Sequence, residues 1–191
     1  MLKRIWLLLP LVLLLSGCGG TEEEAGALQQ RYGLLESAQA EAEIICHLPG
    51  ESRSFTVMTM VEPEGATTTI RAPEEVAGLS ATVSGEDLLV NYQGAAIASG
   101  LTPVLSPANC VPYLLRAAGD GYLLEHGRET IDGMPCLRLS FDTTASDGEK
   151  IVCTVWFEEE SGVPCYGEFS RDGAVVMTVR IQSFEMTGKE A

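Results

Sequence analysis

The sequence predicts an α+β protein in which strands joined by tight turns form an antiparallel sheet and two helices interrupt the strands. Two segments place apolar residues three and four positions apart, which is the spacing of one helix face. Most of the remaining chain alternates apolar and polar residues, as half-buried strands do. Short glycine-containing turns separate the alternating runs, so successive strands are expected to be antiparallel neighbours.

The N-terminal segment has the pattern of a bacterial export signal. Lys3 and Arg4 precede an apolar run that ends in small residues, which is the order of a secretory signal peptide. The run is shorter than the roughly 20 apolar residues that span a bilayer, and Pro10 interrupts it. Its last residues, Leu15-Ser16-Gly17-Cys18, resemble the lipobox of bacterial lipoproteins. That resemblance implies cleavage before Cys18 and a diacylglycerol thioether on the cysteine.

This interpretation divides the chain into four parts. We predict a signal peptide over residues 1–17, a lipid anchor and short tether over 18–24, a single domain over 25–188 and a tail over 189–191. Cleavage leaves 191 − 17 = 174 residues, which is enough for one domain with a substantial core. At least two acyl chains on Cys18 would give stable anchoring. We therefore expect the protein on the extracytoplasmic face of the cell membrane.

The charge of the chain excludes some partners. Twelve basic residues stand against 27 acidic ones, a net charge of −15. Without Lys3 and Arg4 the count is 10 against 27, or −17. Nucleic-acid binding is not expected, because phosphate contacts need lysine and arginine. An acidic surface is also repelled by anionic headgroups, so the lipid on Cys18 has to supply the membrane attachment.

The first helix is predicted over residues 22–40. Three glutamates at its start, residues 22–24, suit the positive end of the helix dipole. After Ala42 the period falls to two, which indicates a strand that ends near Leu48. The apolar positions at helical spacing are Ala25, Leu28, Tyr32, Leu35, Ala38 and Ala42.

The second helix is predicted over residues 110–118. Asn109 can cap its N-terminus, and Pro112 lies in its first turn. Gly119 follows its last apolar residue and ends it. Its apolar side consists of Val111, Leu114, Leu115 and Ala118.

The strand expected over residues 55–61 differs from the others because both of its faces are apolar. A strand of this composition is typically covered on both sides. Met58 and Met60 share one of its faces. Together with Trp156 they indicate an adaptable apolar pocket wall, and ordinary core packing is the alternative interpretation.

The C-terminal part of the chain predicts a meander. If residues 171–173 form a three-residue loop with Gly173 left-handed, the apolar side chains of the last strand join the apolar face of the others. In this register Cys153 and Cys165 share one face of adjacent strands, either as a disulfide or as two buried free thiols. The five expected strands cover residues 122–131, 136–142, 150–157, 163–170 and 174–184.

The cysteines and histidines do not form a recognisable reactive site. Assigning Cys18 to lipid leaves five of the six cysteines, so at least one is a free thiol or pairs between molecules. The chain has no Cys-x-x-Cys pair, and His47 and His126 are far apart in sequence. A metal site is therefore not predicted. No Gly-x-Ser-x-Gly nucleophile motif is present, so we expect neither enzymatic activity nor a cofactor.

The order of elements and three turn motifs resemble a known superfamily. The motifs are residues 73–79, Trp156-Phe157 with residues 161–164, and residues 168–173. The chain resembles bacterial lipoproteins of the LolA/LolB-like (outer-membrane lipoprotein carrier-like) superfamily, and most of all the Gram-positive germination lipoproteins of the GerS type. The resemblance implies a curved antiparallel sheet, or half-barrel, wrapped around one or two helices. In several members the concave face holds acyl chains.

Two functions follow from the resemblance. The first is a membrane-anchored, non-catalytic lipoprotein that binds an apolar ligand or lipid in the half-barrel, with a site lined by Met58, Met60, Leu114 and Trp156. The second is an interaction lipoprotein of the cell or spore envelope with a packed interior and no ligand, for which a homodimer is one option. Because one fold serves many functions, both hypotheses stay open at this stage.

Overall fold

The computed structural model of the chain describes residues 20–85, 87–98, 105–143 and 150–188. The expected signal peptide and Cys18 lie outside these residues. The described part contains two α-helices, α1 (Gly20–Gly33) and α2 (Cys110–Asp120), and eleven strands. The strands are β1 (Leu35–Leu48), β2 (Glu51–Glu62), β3 (Gly65–Ala72), β4 (Ser80–Ser84), β5 (Asp87–Tyr92), β6 (Ala95–Ala98), β7 (Tyr122–Ile131), β8 (Met134–Asp142), β9 (Ile151–Glu158), β10 (Pro164–Arg171) and β11 (Ala174–Gly188).

All eleven described strands form one antiparallel sheet. Its order is β6-β5-β4-β3-β2-β1-β11-β10-β9-β8-β7, so β6 and β7 are its two edges and the sheet is curved but not closed. Two meanders, β1–β6 and β7–β11, are joined by pairing of β1 with β11. The predicted α+β class with a curved antiparallel sheet and two helices is confirmed.

The helices cover one face of the sheet, which we call the inner face. Leu114 and Val111 of α2 are buried in the same apolar cluster as the side chains of that face. We call the opposite face the outer face. Inner-face side chains with no exposed surface include Ile44, Val57, Leu139, Phe141, Val155, Phe157, Phe169 and Val179.

The two helices cross where each has a glycine. A Cβ placed on Gly119 would lie 2.9 Å from the backbone nitrogen of Gly33 and 2.9 Å from the backbone carbonyl carbon of Tyr32. Contact this close is open only to glycine. The Tyr32 hydroxyl then donates to the carbonyl oxygen of Gly162 at 2.9 Å, which fixes α1 to the loop between β9 and β10.

The prediction of a helix over residues 22–40 is correct only up to Gly33, because β1 begins at Leu35. A spacing of four residues fits both a helix face and a strand face, so Ala38 and Ala42 did not separate the two. Ala40 does: all three alanines are buried while Gln39 between them is exposed, which is the period of a strand.

The predicted start of α2 is confirmed, but the expected cap is not formed. Asn109 precedes the helix and makes no side-chain capping hydrogen bond to it. Its Oδ1 instead accepts hydrogen bonds from the backbone N–H of Ser106 at 2.8 Å and the hydroxyl of Ser106 at 3.1 Å. The side chain closes the preceding turn, which is the alternative use of asparagine near a helix start.

The prediction that residues 55–61 are covered on both sides is wrong at their C-terminal part. Val57 and Thr59 point inward and have no exposed surface. Met58 and Met60 therefore point to the outer face, and Met60 is 48% exposed. An apolar composition on both faces did not translate into a second covering layer.

The register of the C-terminal meander agrees with the prediction at β8 and β9, where Phe141 pairs with Cys153. The loop after β10 differs. Asp172 and Gly173, with φ of 51° and 78°, form a two-residue turn of the kind that matches strand twist. A bulge next to Phe169 then adds the extra residue, so that Met177 still faces inward. The face was predicted correctly and the position of the irregularity was not.

Candidate functional site

The inner face, where the sequence places an apolar ligand, is filled by the chain's own side chains around α2. Leu114 has no exposed surface and packs against β10 at Gly167. A Cβ on Gly167 would lie 2.3 Å from Leu114 Cδ1, so the leucine occupies the space that a larger residue would need. Phe157 and Phe169, both fully buried, lie in the same cluster.

The four residues predicted to line a ligand site do not come together. Leu114 lies on the inner face, whereas Met58 and Met60 point to the outer face. Trp156 lies between Val155 and Phe157, which point inward, so its ring is also on the outer face. In the sheet order, β1, β11 and β10 separate the methionines from the tryptophan. Strand alternation is the reason, because neighbours in a strand face opposite sides.

The outer face instead carries a cluster built around Trp156. Its indole Nε1 donates a hydrogen bond to Glu129 Oε2 at 2.7 Å, and its ring centroid is 5.3 Å from that of Tyr166. Arg138 Nε lies 3.4 Å from Glu129 Oε1, close enough for an ion pair but not aligned as a hydrogen bond. Trp156 is consequently only 7% exposed although neither of the two described α-helices lies on this face.

Arg180 extends this cluster across the sheet. Its guanidinium carbon is 5.6 Å from the Tyr166 ring centroid, within reach of a cation–π interaction. The same guanidinium forms an ion pair with Asp132 in the turn between β7 and β8. Burial, and the nearby charge of Glu168, raise the pKa of the Tyr166 phenol. We call this cluster the outer patch; it consists of Glu129, Asp132, Arg138, Trp156, Tyr166 and Arg180.

The structure separates Cys153 from Cys165, which corrects the pairing considered from sequence. Cys153 is on the inner face opposite Phe169. Cys165 follows Pro164 at a bulge, and its Sγ lies 3.5 Å from the Sγ of Cys136. Sequence reasoning missed Cys136. Because Cys136 precedes the inward-pointing Leu137, strand alternation predicts that Cys136 lies on the outer face. The bulge that turns Cys165 outward could not be predicted in this way.

The other three thiols among the described residues are buried or half-buried. Cys110 and Cys153 have no exposed surface, and Cys46 is half-buried. Burial raises the pKa of all three, so their thiolate fractions near neutral pH are small. Among the residues that the structure describes, no group of three cysteine, histidine or acidic side chains is arranged to hold a metal ion. In the same residues no helix has the length and apolar character to cross a membrane.

Comparison with known proteins gives matches only at the level of structure. No family model and no curated protein matches the chain. The fold is similar to that of an uncharacterized conserved protein from Thermus thermophilus, at 11% identity and a TM-score of 0.53, over 89% of this chain and 90% of that chain.

Two further solved structures are a LolA superfamily protein and a complex that contains a lipoprotein. A LolA superfamily protein from Nitrosomonas europaea matches at 14% identity and a TM-score of 0.47, over 86% of this chain and 94% of that one. A chain in the structure of the CwlD amidase from Clostridioides difficile in complex with the GerS lipoprotein matches at 16% identity and a TM-score of 0.42, over 86% and 94%. At these identities the likeness concerns the fold alone. At that level, the resemblance predicted from sequence is confirmed.

Proposed function

We propose that this chain is a non-catalytic, lipid-anchored protein of the extracytoplasmic envelope that works by binding another protein. The observation that supports this function is the filled inner face. Leu114 against Gly167 and the buried phenylalanines around it occupy the place where a half-barrel would hold an acyl chain. This packing around α2 favours the surface as the working part of the molecule.

The outer patch is the surface best suited to that role. Tyrosine and arginine are among the residues that contribute most to protein interfaces. The patch presents Tyr166 and two arginines at its surface, whereas Trp156 is buried and supports them. Arg180 and Asp132 are 48% and 66% exposed, so both are accessible. Because the whole chain carries a net charge of −15, complementarity favours a partner with a basic surface.

The test is crosslinking of the full-length protein in intact cells, followed by affinity purification and mass spectrometry. We expect one basic envelope protein to be captured, with a yield that falls as salt rises. Arg180→Ala should reduce the yield at least five-fold, because central interface arginines typically contribute more than about 1 kcal/mol. Arg53→Ala is the matched control: Arg53 is an exposed, ion-paired strand arginine on β2. Equal loss in both variants would argue against the outer patch.

The anchor is tested separately. Cys18→Ala should move the protein from the membrane fraction to the soluble extracytoplasmic fraction without changing its circular dichroism spectrum. Retention of the Cys18→Ala protein in the membrane would contradict lipid attachment at this residue.

An apolar ligand is the second candidate function, and one observation favours it. The buried apolar residues of the described chain divide into a large cluster under the helices and a small one at Ala81, Val83 and Leu88. A ligand would lie between these two clusters. Native mass spectrometry of the protein extracted from membranes should then show bound lipid beyond the anchor, and Val83→Trp should displace it. A protein mass accounted for by the chain and its anchor would exclude this candidate.

A further inference from the structure

We propose that Cys136 and Cys165 are a redox site that closes to an intramolecular disulfide once the protein is outside the cytoplasm. Their sulfur atoms are 3.5 Å apart on the outer face, and a disulfide needs a separation of about 2.05 Å. The two residues are 29 positions apart in sequence. Closure would therefore tie β8 to β10 across β9.

The local backbone explains why these two thiols meet. Cys136 is opposite Glu158 at the end of β9, and Cys165 is the additional residue of the bulge between Pro164 and Tyr166. The bulge turns Cys165 towards the end of β9, where its thiol donates to the carbonyl oxygen of Trp156 at 3.4 Å. Cys136 is fully buried, whereas Cys165 is partly exposed, so an incoming oxidant reaches Cys165 first.

The reaction is a thiol–disulfide exchange with a disulfide-donating protein of the envelope. The thiolate of Cys165 attacks the donor disulfide, which forms a mixed disulfide and releases one donor thiolate. The thiolate of Cys136 then attacks the Cys165 sulfur, which closes the new bond and releases the second donor thiolate. Two electrons pass from the cysteine pair to the donor, and the two protons lost by the pair are taken up by the donor thiolates.

The pairing leaves three of the five cysteines after Cys18 as free thiols. Of the five, Cys136 and Cys165 form one pair, and Cys46, Cys110 and Cys153 stay reduced. Burial raises the pKa of the Cys165 thiol to about 12. Its thiolate fraction near neutral pH is therefore small and oxidation of the folded protein is slow, so closure during folding is the faster route.

The experiment counts thiols in the full-length protein purified from membranes without reductant. The protein is trapped with acid, denatured, alkylated with N-ethylmaleimide and analysed by peptide mass mapping. We expect three alkylated cysteines, namely Cys46, Cys110 and Cys153, and one crosslinked peptide pair. After treatment with dithiothreitol all five should be alkylated. Dithiothreitol should also lower the Tm by roughly 5 to 10 °C. Reduction opens the loop between the two cysteines, which raises the entropy of the unfolded chain and so destabilises the folded state.

Three variants make the outcome decisive. Cys136→Ala and Cys165→Ala should each give four alkylated cysteines and a Tm that no longer responds to dithiothreitol. Cys153→Ala should keep the disulfide and its Tm response, with two alkylated cysteines. Five free thiols after refolding from denaturant in the presence of excess oxidised glutathione would overturn the proposal, and so would a disulfide that includes Cys46, Cys110 or Cys153.

Discussion

Gly167 in β10 and Leu114 in α2 are in such close contact that a Cβ on the glycine would lie 2.3 Å from Leu114 Cδ1. The helix therefore rests directly on the strand, and no other residue type fits at position 167 without movement. This contact determines how closely α2 approaches the inner face. It also means that the Leu114 side chain occupies the space next to Gly167 on the inner face.

Gly167→Ala should destabilise the protein by about 1–3 kcal/mol, the usual cost of inserting a methyl group into a packed core. Urea denaturation measures the change. Gly127→Ala is the matched control, because a Cβ on that strand glycine meets only Arg138 Nη2, at 3.9 Å. The free energy of unfolding should fall by less in the double variant Gly167→Ala/Leu114→Ala than by the sum of the two single changes, because alanine at position 114 leaves space for the Cβ at position 167. Strict additivity would show that the contact is not the cause.

The helix crossing gives a sharper contrast between two helical glycines. Gly119→Ala would bring a Cβ to 2.9 Å from the backbone of Tyr32 and Gly33. Backbone atoms cannot rotate away, so we expect a loss of at least about 2 kcal/mol. Gly26→Ala in α1 meets nothing within 4 Å and should stabilise by about 0.5–1 kcal/mol, because alanine loses less backbone entropy in a helix. Thermal unfolding of both variants measures the difference, and a similar Tm for the two would contradict this account of the crossing.

The fold could be predicted from the sequence wherever the spacing of apolar residues fits only one kind of secondary structure. The β8–β9 register was predictable because Leu137, Leu139 and Phe141 alternate without interruption. The boundary between α1 and β1 was not, because Ala38 and Ala42 satisfy both periods.

The candidate site was predicted less well than the fold. Trp156 points outward because its neighbours Val155 and Phe157 point inward, and this signal was present in the sequence. The proximity of Cys136 and Cys165 depends on a bulge after Pro164. Tertiary packing selects this bulge, and no local sequence pattern predicts it. Bulges move side chains between faces, so a single unseen one changes which residues meet.

The outer patch should depend on the hydrogen bond from Trp156 to Glu129. Glu129→Ala leaves the indole N–H of a nearly buried tryptophan without its acceptor, which should cost about 1–2 kcal/mol. Glu129→Gln keeps an acceptor oxygen and should cost less. Glu125→Ala removes a carboxylate that is 68% exposed and 3.4 Å from Arg138, and should change stability by less than about 0.5 kcal/mol.

Fluorescence reports on the same bond directly. The chain has two tryptophans, and the other, Trp6, belongs to the expected signal peptide, so emission of the mature protein would come from Trp156 alone. Glu129→Ala should shift that emission to longer wavelength as water reaches the indole, whereas Glu125→Ala should leave it unchanged. An unchanged spectrum in Glu129→Ala would mean that Tyr166 alone shields the ring.

The buried thiols should make the protein sensitive to alkali. Burial raises the pKa of Cys110 and Cys153 above the value of 9.0 for an unperturbed thiol. Below pH 9 both states hold these protons, and stability is at its full value. As pH rises above 9, the unfolded state releases protons that the folded state keeps, so stability falls by about 1.4 kcal/mol per pH unit for each such thiol. Urea denaturation between pH 8 and 10.5, in reducing buffer, measures this slope.

Cys153→Ala should make that slope shallower by the contribution of one thiol. Val155→Ala, also a fully buried inner-face position on β9, removes apolar contacts without removing a titrating group. It should lower stability equally at every pH and leave the slope unchanged. The comparison separates proton linkage from packing, because only the loss of an acid with a raised pKa changes the pH dependence. Parallel curves for the wild type and Cys153→Ala would show that this thiol ionises as freely in the folded protein as in the unfolded chain.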